Sequence, residues 1–236
     1  MQNFRIILEY DGRDFFGWEI QPELRTLRGE IEKVLMKILD ERVQIVTGAR
    51  TDTGVHALAQ VANFKTNKEL TADQIRNALL GLLPRDMFVK EVVNVPLDFD
   101  ARRDAESRVY VYKMLLGRAP LRHYYIWEYE FPLDLNKIRE TMPLFRGTHE
   151  FKSFSYRDSG RCDIKRFDVE KEGDEVSFEI EADRFLHKMI RMIVGTLSYL
   201  GRGKLNEGDI GSMLKGKVGK PFAAPPQGLY LKEIKY

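Results

Sequence analysis

Apolar and polar positions alternate along the chain in a way that predicts short strands separated by a few helices. Phe4-Arg5-Ile6-Ile7-Leu8-Glu9-Tyr10 reads as a strand, and Asp11-Gly12 as the turn that stops it. From Thr26 onward, Leu27, Ile31, Val34, Leu35, Ile38 and Leu39 recur at helical spacing opposite charged residues, which predicts an amphipathic helix. Val43 to Val46 and Gln60 to Phe64 predict two short strands. Thr71-Ala72-Asp73-Gln74 has the capping-box pattern, predicting a helix with Ile75, Ala78, Leu79 and Leu82 inward and Pro84 at its end. Val89 to Val95 predicts a further strand.

The charged connector Arg102 to Arg108 marks a boundary, dividing the chain into halves 1–105 and 106–236. In the second half, Val109 to Leu116 alternates so that Tyr110 and Tyr112 share one face of a strand. A short helix is predicted from Asn136 to Phe145, weakened near its end by Pro143. Ser153 to Arg166 reads as a turn-rich basic loop, and Val176, Phe178 and Ile180 as the buried face of a strand. Asp183 to Leu200 predicts a long helix. Its apolar face runs from Phe185 to Leu200, and Arg184, His187, Lys188 and Arg191 form a basic stripe at i, i+3, i+4 and i+7. Such a row calls for an anion: acidic neighbours, a buried carboxylate or a nucleic-acid backbone. Gly228 to Ile234 predicts a last strand. Strands and helices in both halves describe an α+β protein, and a diverged duplication is conceivable.

Composition narrows the class. Apolar residues at 43% and charged residues at 31% fit a soluble globular protein, and no apolar run approaches the roughly 20 residues that span a bilayer. The polar start Met1-Gln2-Asn3 does not read as a signal peptide. A single cysteine, Cys162, excludes an internal disulfide and suits a reducing compartment. One Cys and four scattered His give no metal-ligand spacing. The net charge of only +2 means that any polyanion must meet a local basic patch.

The candidate chemistry lies in Gly48-Ala49-Arg50-Thr51-Asp52-Thr53-Gly54-Val55-His56-Ala57, a carboxylate two residues after a guanidinium, between two predicted strands. Gly48 and Gly54 permit unusual backbone angles at its ends. Asp52 has three readings. It is a turn former bonded to its own backbone. Or Asp52-Thr53-Gly54 and Asp158-Ser159-Gly160 make an aspartic-protease dyad, which Arg50 and Arg157 oppose by favouring two ionised carboxylates. Or it is a lone ionised carboxylate, kept charged by an Arg, that serves as nucleophile or base.

The same segment resembles the signature of the TruA-type tRNA pseudouridine synthases. Further matches run in order along the chain: Tyr10-Asp11-Gly12 with Phe16-Gly17-Trp18; Phe99-Asp100-Ala101-Arg102 with Arg108 to Tyr112; Gly147 to Phe151 with Ser153-Phe154; Phe185 to Arg191 with Gly195; and Ala224 to Leu229. Asp100 departs from the pattern, standing where many relatives are expected to carry His. The resemblance implies two similar halves forming an extended, mostly antiparallel sheet flanked by helices, with a central catalytic cleft. It implies a cytoplasmic homodimer that needs no metal or cofactor and converts uridine to pseudouridine at positions 38, 39 and 40 of the tRNA anticodon arm. Asp52 would be the catalytic aspartate, Arg50 would help hold the extruded nucleotide, and Tyr110 would stack on the uracil. Arg191 would pair with Asp52, and Leu229 would line the pocket. An RNA-binding protein without turnover is the alternative from another class.

Overall fold

In the computed structural model, which describes residues 1–157, 159–217 and 221–236, the chain divides into two units. One comprises Met1–Glu106 with Tyr230–Tyr236, the other Ser107–Leu229.

In the first unit, β1 (Gln2–Tyr10) lies between β3 (His56–Thr66) and β4 (Met87–Val95), antiparallel to both. β2 (Ile45–Thr47) pairs antiparallel with β3, while β10 (Leu229–Lys235) runs parallel to β3 with Tyr230 opposite His56. The registers place Phe4 against Phe64 and Ile6 against Ala62. These residues are fully buried, as the predicted alternation requires. Helix α1 (Leu27–Leu39) starts where Thr26 accepts a hydrogen bond from Gly29 N, and it buries Leu27, Ile31, Val34, Leu35 and Leu39. Each such side chain contributes about 1.5–3 kcal/mol of transfer free energy. Helix α2 (Ala72–Leu82) has the capping box that Thr71 and Gln74 predict. Only part of its predicted inner face is inside. Ile75 and Leu79 are buried, but Leu82, the last residue of the helix, is half exposed.

In the second unit, β5 (Ser107–Leu116), β9 (Glu175–Ala182), β8 (Arg161–Glu172) and β7 (Gly147–Glu150) follow one another as antiparallel neighbours. The short β6 (Trp127–Tyr129) runs parallel to β5. Tyr110 and Tyr112 pair with Ile180 and Phe178 and share their face, as the alternation predicts. Helix α3 (Leu135–Thr141) passes into a 3₁₀ turn, Met142–Phe145, in which Pro143 sits near the start. Helix α4 (Met189–Gly201) is buried on nearly every side, and α5 (Glu207–Leu214) follows it.

Two predictions in this unit are corrected. Arg161 to Arg166 is not loop but the start of β8. There Arg166 faces Glu179, Glu181 and Asp168 on the same side of the sheet, so its charge is met within the protein. The long helix begins at Met189, not at Asp183. The preceding segment is drawn into other bonds: Asp183 N donates to Asp163 O, Tyr156 N donates to His187 O, and Lys188 takes the left-handed conformation at φ 62°. Arg184, His187 and Lys188 therefore do not form a helical row with Arg191, and Lys188 sits over the Tyr156 ring instead. Among the described residues no helix is long and apolar enough to cross a membrane.

Candidate active site

Asp52 lies on the loop between β2 and β3, and that loop is held from three directions. From β1, the Tyr10 hydroxyl and Thr51 Oγ1 share a hydrogen bond of 2.8 Å. From β3, Gln60 Nε2 donates to Ala49 O at 2.9 Å and reaches the Tyr10 hydroxyl at 3.4 Å. From the segment ahead of α1, Trp18 N donates to Thr51 O at 3.1 Å. Tyr10, Thr51 and Gln60 are all buried, where an unsatisfied polar group costs about 1–3 kcal/mol. The backbone on either side of Thr51 is thus fixed by bonds that are expensive to break. Burial pushes the Tyr10 phenol far above its ordinary range, with the Thr51 and Gln60 hydrogen bonds opposing the shift, so it stays protonated.

The turn itself closes through Val55 N donating to Asp52 O at 3.2 Å, with Gly54 at φ 77°. Gly48 serves space rather than backbone angle: a Cβ there would lie 2.7 Å from Ile234 Cδ1. Asp52 is half-buried and Arg50 exposed. The Arg50 Nε lies 2.7 Å from Glu19 Oε1. His56 of the signature is an internal clamp. Its buried Nδ1 accepts from Gly12 N at 3.1 Å, and its ring stacks on Tyr230 at 4.8 Å, tying the Asp11-Gly12 turn to the start of β3.

Arg50 and Asp52 share one loop of the first unit, and Tyr110, Arg191 and Leu229 belong to the second. Tyr110 is buried on β5, with Phe185 edge-on at 5.3 Å. Arg191, in the first turn of α4, is bound twice to Ala224: its Nε donates to Ala224 O at 2.7 Å, and Ala224 N donates to Arg191 O at 2.9 Å. Tyr112 Oη donates to Pro225 O at 2.8 Å, so the terminal motif 224–229 is strapped to both α4 and β5. The strap comes so close that a Cβ on Gly195 would lie 2.1 Å from Phe222 O. Leu229, at the end of the strap, is buried. Asp158, the first residue of the Asp-Ser-Gly triplet, lies outside the described residues. Asp100 shapes its own turn, its Oδ1 accepting from Arg102 N and Arg103 N at 2.9 and 2.8 Å.

A half-buried carboxylate on a clamped loop meets the geometric demand of a nucleophile or base, whose aim must be set before the substrate arrives. The family model described as tRNA pseudouridine synthase matches residues 6–104 and 142–236, spanning the aspartate loop, α4 and the strap. The chain belongs to the tRNA pseudouridine synthase family. It is 39% identical to tRNA pseudouridine synthase A of Thermoanaerobacter sp. (strain X514) over 245 residues, covering 100% of both chains. It is 35% identical to tRNA pseudouridine synthase A of Aquifex aeolicus (strain VF5), covering 99% of each. With tRNA pseudouridine synthase A 1 of Bacillus cereus (strain ATCC 14579) it shares 38% identity over 100% of this chain and 99% of the relative. Membership makes the chain an isomerase of uridine in tRNA and removes the protease reading of Asp52-Thr53-Gly54.

The family's resemblance did not single out Gln60 or Glu19, which do much to define the loop. Gln60 leaves one trace in the sequence: it is an amide opening a largely apolar strand run. Glu19, 31 residues ahead of Arg50, leaves none.

Proposed function

We propose that this chain converts uridine to pseudouridine at positions 38, 39 and 40 of the tRNA anticodon arm, with Asp52 as its catalytic aspartate. The target uridine leaves the stack at a cost of a few kcal/mol and enters a site where Arg50 helps hold it extruded. Tyr110 stacks on the uracil, Arg191 pairs with Asp52, and Leu229 lines the pocket. The carboxylate attacks the ribose or the base, or removes the sugar's 2′ proton. The glycosidic C1′–N1 bond breaks, the uracil rotates, a C1′–C5 bond forms, and the C5 hydrogen leaves as a proton while N1 gains one. No atom is added or lost overall. Acting as a homodimer in the cytoplasm, the chain would also assemble from two copies a more basic surface than its net charge of +2 provides alone.

The observation that carries this reading is the clamped loop. Ala49 and Thr51, just ahead of Asp52, are fixed by Gln60, Tyr10 and Trp18, and the loop holds Asp52 itself half-buried. The test is release of tritium from tRNA labelled at uridine C5, with Asp52→Asn beside the parent protein. We expect release to vanish in Asp52→Asn while tRNA binding survives. Unchanged release would remove Asp52 from the mechanism. A parent protein that binds tRNA and releases nothing would favour the pure binder.

A further inference from the structure

Arg50 is exposed, yet it is not loose. Its Nε lies 2.7 Å from Glu19 Oε1. The other Glu19 oxygen lies 3.2 Å from Arg28 Nη1, and Arg28 Nε lies 2.6 Å from Glu32 Oε1, one turn along α1. The charges alternate from the aspartate loop to a helix: Arg50, Glu19, Arg28, Glu32. Backbone bonds run alongside. Arg28 N donates to Trp18 O and Trp18 N donates to Thr51 O, each at 3.1 Å. Glu19 is therefore anchored on both sides, by α1 and by the loop that carries Asp52.

We infer that Glu19 is a positioning residue for the isomerisation, its carboxylate holding the Arg50 guanidinium ready for the extruded nucleotide; this rests on the reading of Arg50 given above. An ion pair with side chains 59% and 38% exposed adds little to fold stability, so stability does not account for the chain of charges. Holding a long, rotamer-rich side chain in one orientation before the substrate binds does account for it, since that ordering then need not be supplied on binding. The guanidinium has five N–H donors, and the Glu19 contact engages it through Nε, which leaves the fork geometry suited to a phosphate or a base edge. A carboxylate next to a polyanion site weakens binding unless something else recommends it. Glu19 thus carries a signature that a structural residue lacks: neutralising it favours RNA binding and disfavours the chemistry.

The experiment compares Glu19→Gln, Arg50→Ala and the double variant by single-turnover rate on uridine-labelled tRNA and by tRNA binding. Glu19→Gln should turn over about tenfold more slowly and bind tRNA as tightly as the parent or more tightly. The double variant should be no slower than Arg50→Ala alone, because Glu19 acts through Arg50. A parental rate in Glu19→Gln overturns the inference, as does a double variant whose losses multiply, or a slow Glu19→Gln that also binds weakly and melts early. The two readings fail separately. If Arg50→Ala turns over at the parental rate, Arg50 does not hold the substrate and Glu19 has nothing to position. If Arg50→Ala is slow and Glu19→Gln is parental, only the role of Glu19 falls.

Discussion

Polar side chains buried around the loops of the first unit reach across the sequence, whereas the buried hydroxyls on the helices of the second bond their own helix. In the first, Asn63 Nδ2 donates to Asn3 Oδ1 at 3.0 Å and Asn63 Oδ1 accepts from Ala101 N at 2.8 Å. Asn3 Nδ2 in turn donates to Pro96 O and Phe99 O at 2.9 and 3.0 Å. Tyr10, Thr51 and Gln60 do the same for the aspartate loop. In the second unit, Thr196 donates to Met192 O and Ser198 to Gly195 O, both at 2.7 Å, and Thr141 to Lys137 O at 2.9 Å. On the strands of that unit, Ser107 bonds Glu181 at 2.7 Å, Tyr112 Oη donates to Pro225 O at 2.8 Å and Tyr129 Oη to Ser198 O at 3.0 Å. The unit's core is layered by ring packing: Phe145 meets Phe154 edge-on at 5.5 Å and Phe167 at 5.9 Å, and Phe151 meets Phe154 at 6.1 Å. Apolar contacts are non-directional and fix how layers stack. Hydrogen bonds are directional and fix where an irregular backbone goes. The loops 49–51 and 96–101, which carry motif residues without regular structure, are held by the second kind.

The comparison predicts that damage to the two units reads out differently. Phe154→Ala removes a fully buried ring from the second unit and should cost about 3–5 kcal/mol in denaturant unfolding. Turnover per folded molecule should remain close to that of the parent, since the loop bonds are untouched. Gln60→Leu keeps a buried side chain of similar length but strips Ala49 O and the Tyr10 hydroxyl of a donor, at about 1–3 kcal/mol. Its stability loss is smaller, yet its single-turnover rate should fall more than that of Phe154→Ala, because the backbone next to Asp52 is released. The opposite ranking of rates would break the comparison.

The features visible in the sequence are those that depend on near neighbours. The caps at Thr26 and Thr71 are local hydrogen bonds, and both helices begin where these residues stand. The alternation at Tyr110 and Tyr112 is a local property of a strand and also holds. The loop with Asp52 is announced by its glycines and charges. What stayed hidden depends on partners far along the chain. Nothing near Gln60 states that its amide meets Ala49 O, and nothing near Glu19 states that it meets Arg50. The helix expected from Asp183 fails for the same reason. Periodicity extends the helix back through Arg184, but bonds to Asp163 and Tyr156 and the left-handed Lys188 hold those residues outside it. Likewise, the basic run to Arg166 reads as a loop until Glu179 and Glu181, on a neighbouring strand, supply its counter-charges.

The smallest effect concerns ionisable groups. Tyr10, in the first unit, has hydrogen bonds that oppose the shift caused by its burial. Cys162, in the second, is buried beside Asp183. Burial first, then the Asp183 charge, pushes its thiol from the ordinary 9.0 up to about 11. The folded protein thus keeps the thiol proton over a pH range in which the unfolded chain has released it. This contribution to stability is fully present below pH 9 and is lost as pH rises toward 11. Between pH 8 and pH 10, the parent should lose about 1 kcal/mol more of unfolding free energy than Cys162→Ala, within the limit of about 1.4 kcal/mol per pH unit for a single group. Equal losses in the two proteins would show that the thiol ionises as readily folded as unfolded. Its burial would then be fully offset by the Arg184 charge and the Leu186 backbone hydrogen bond, which oppose the shift at Cys162 as Thr51 and Gln60 oppose it at Tyr10.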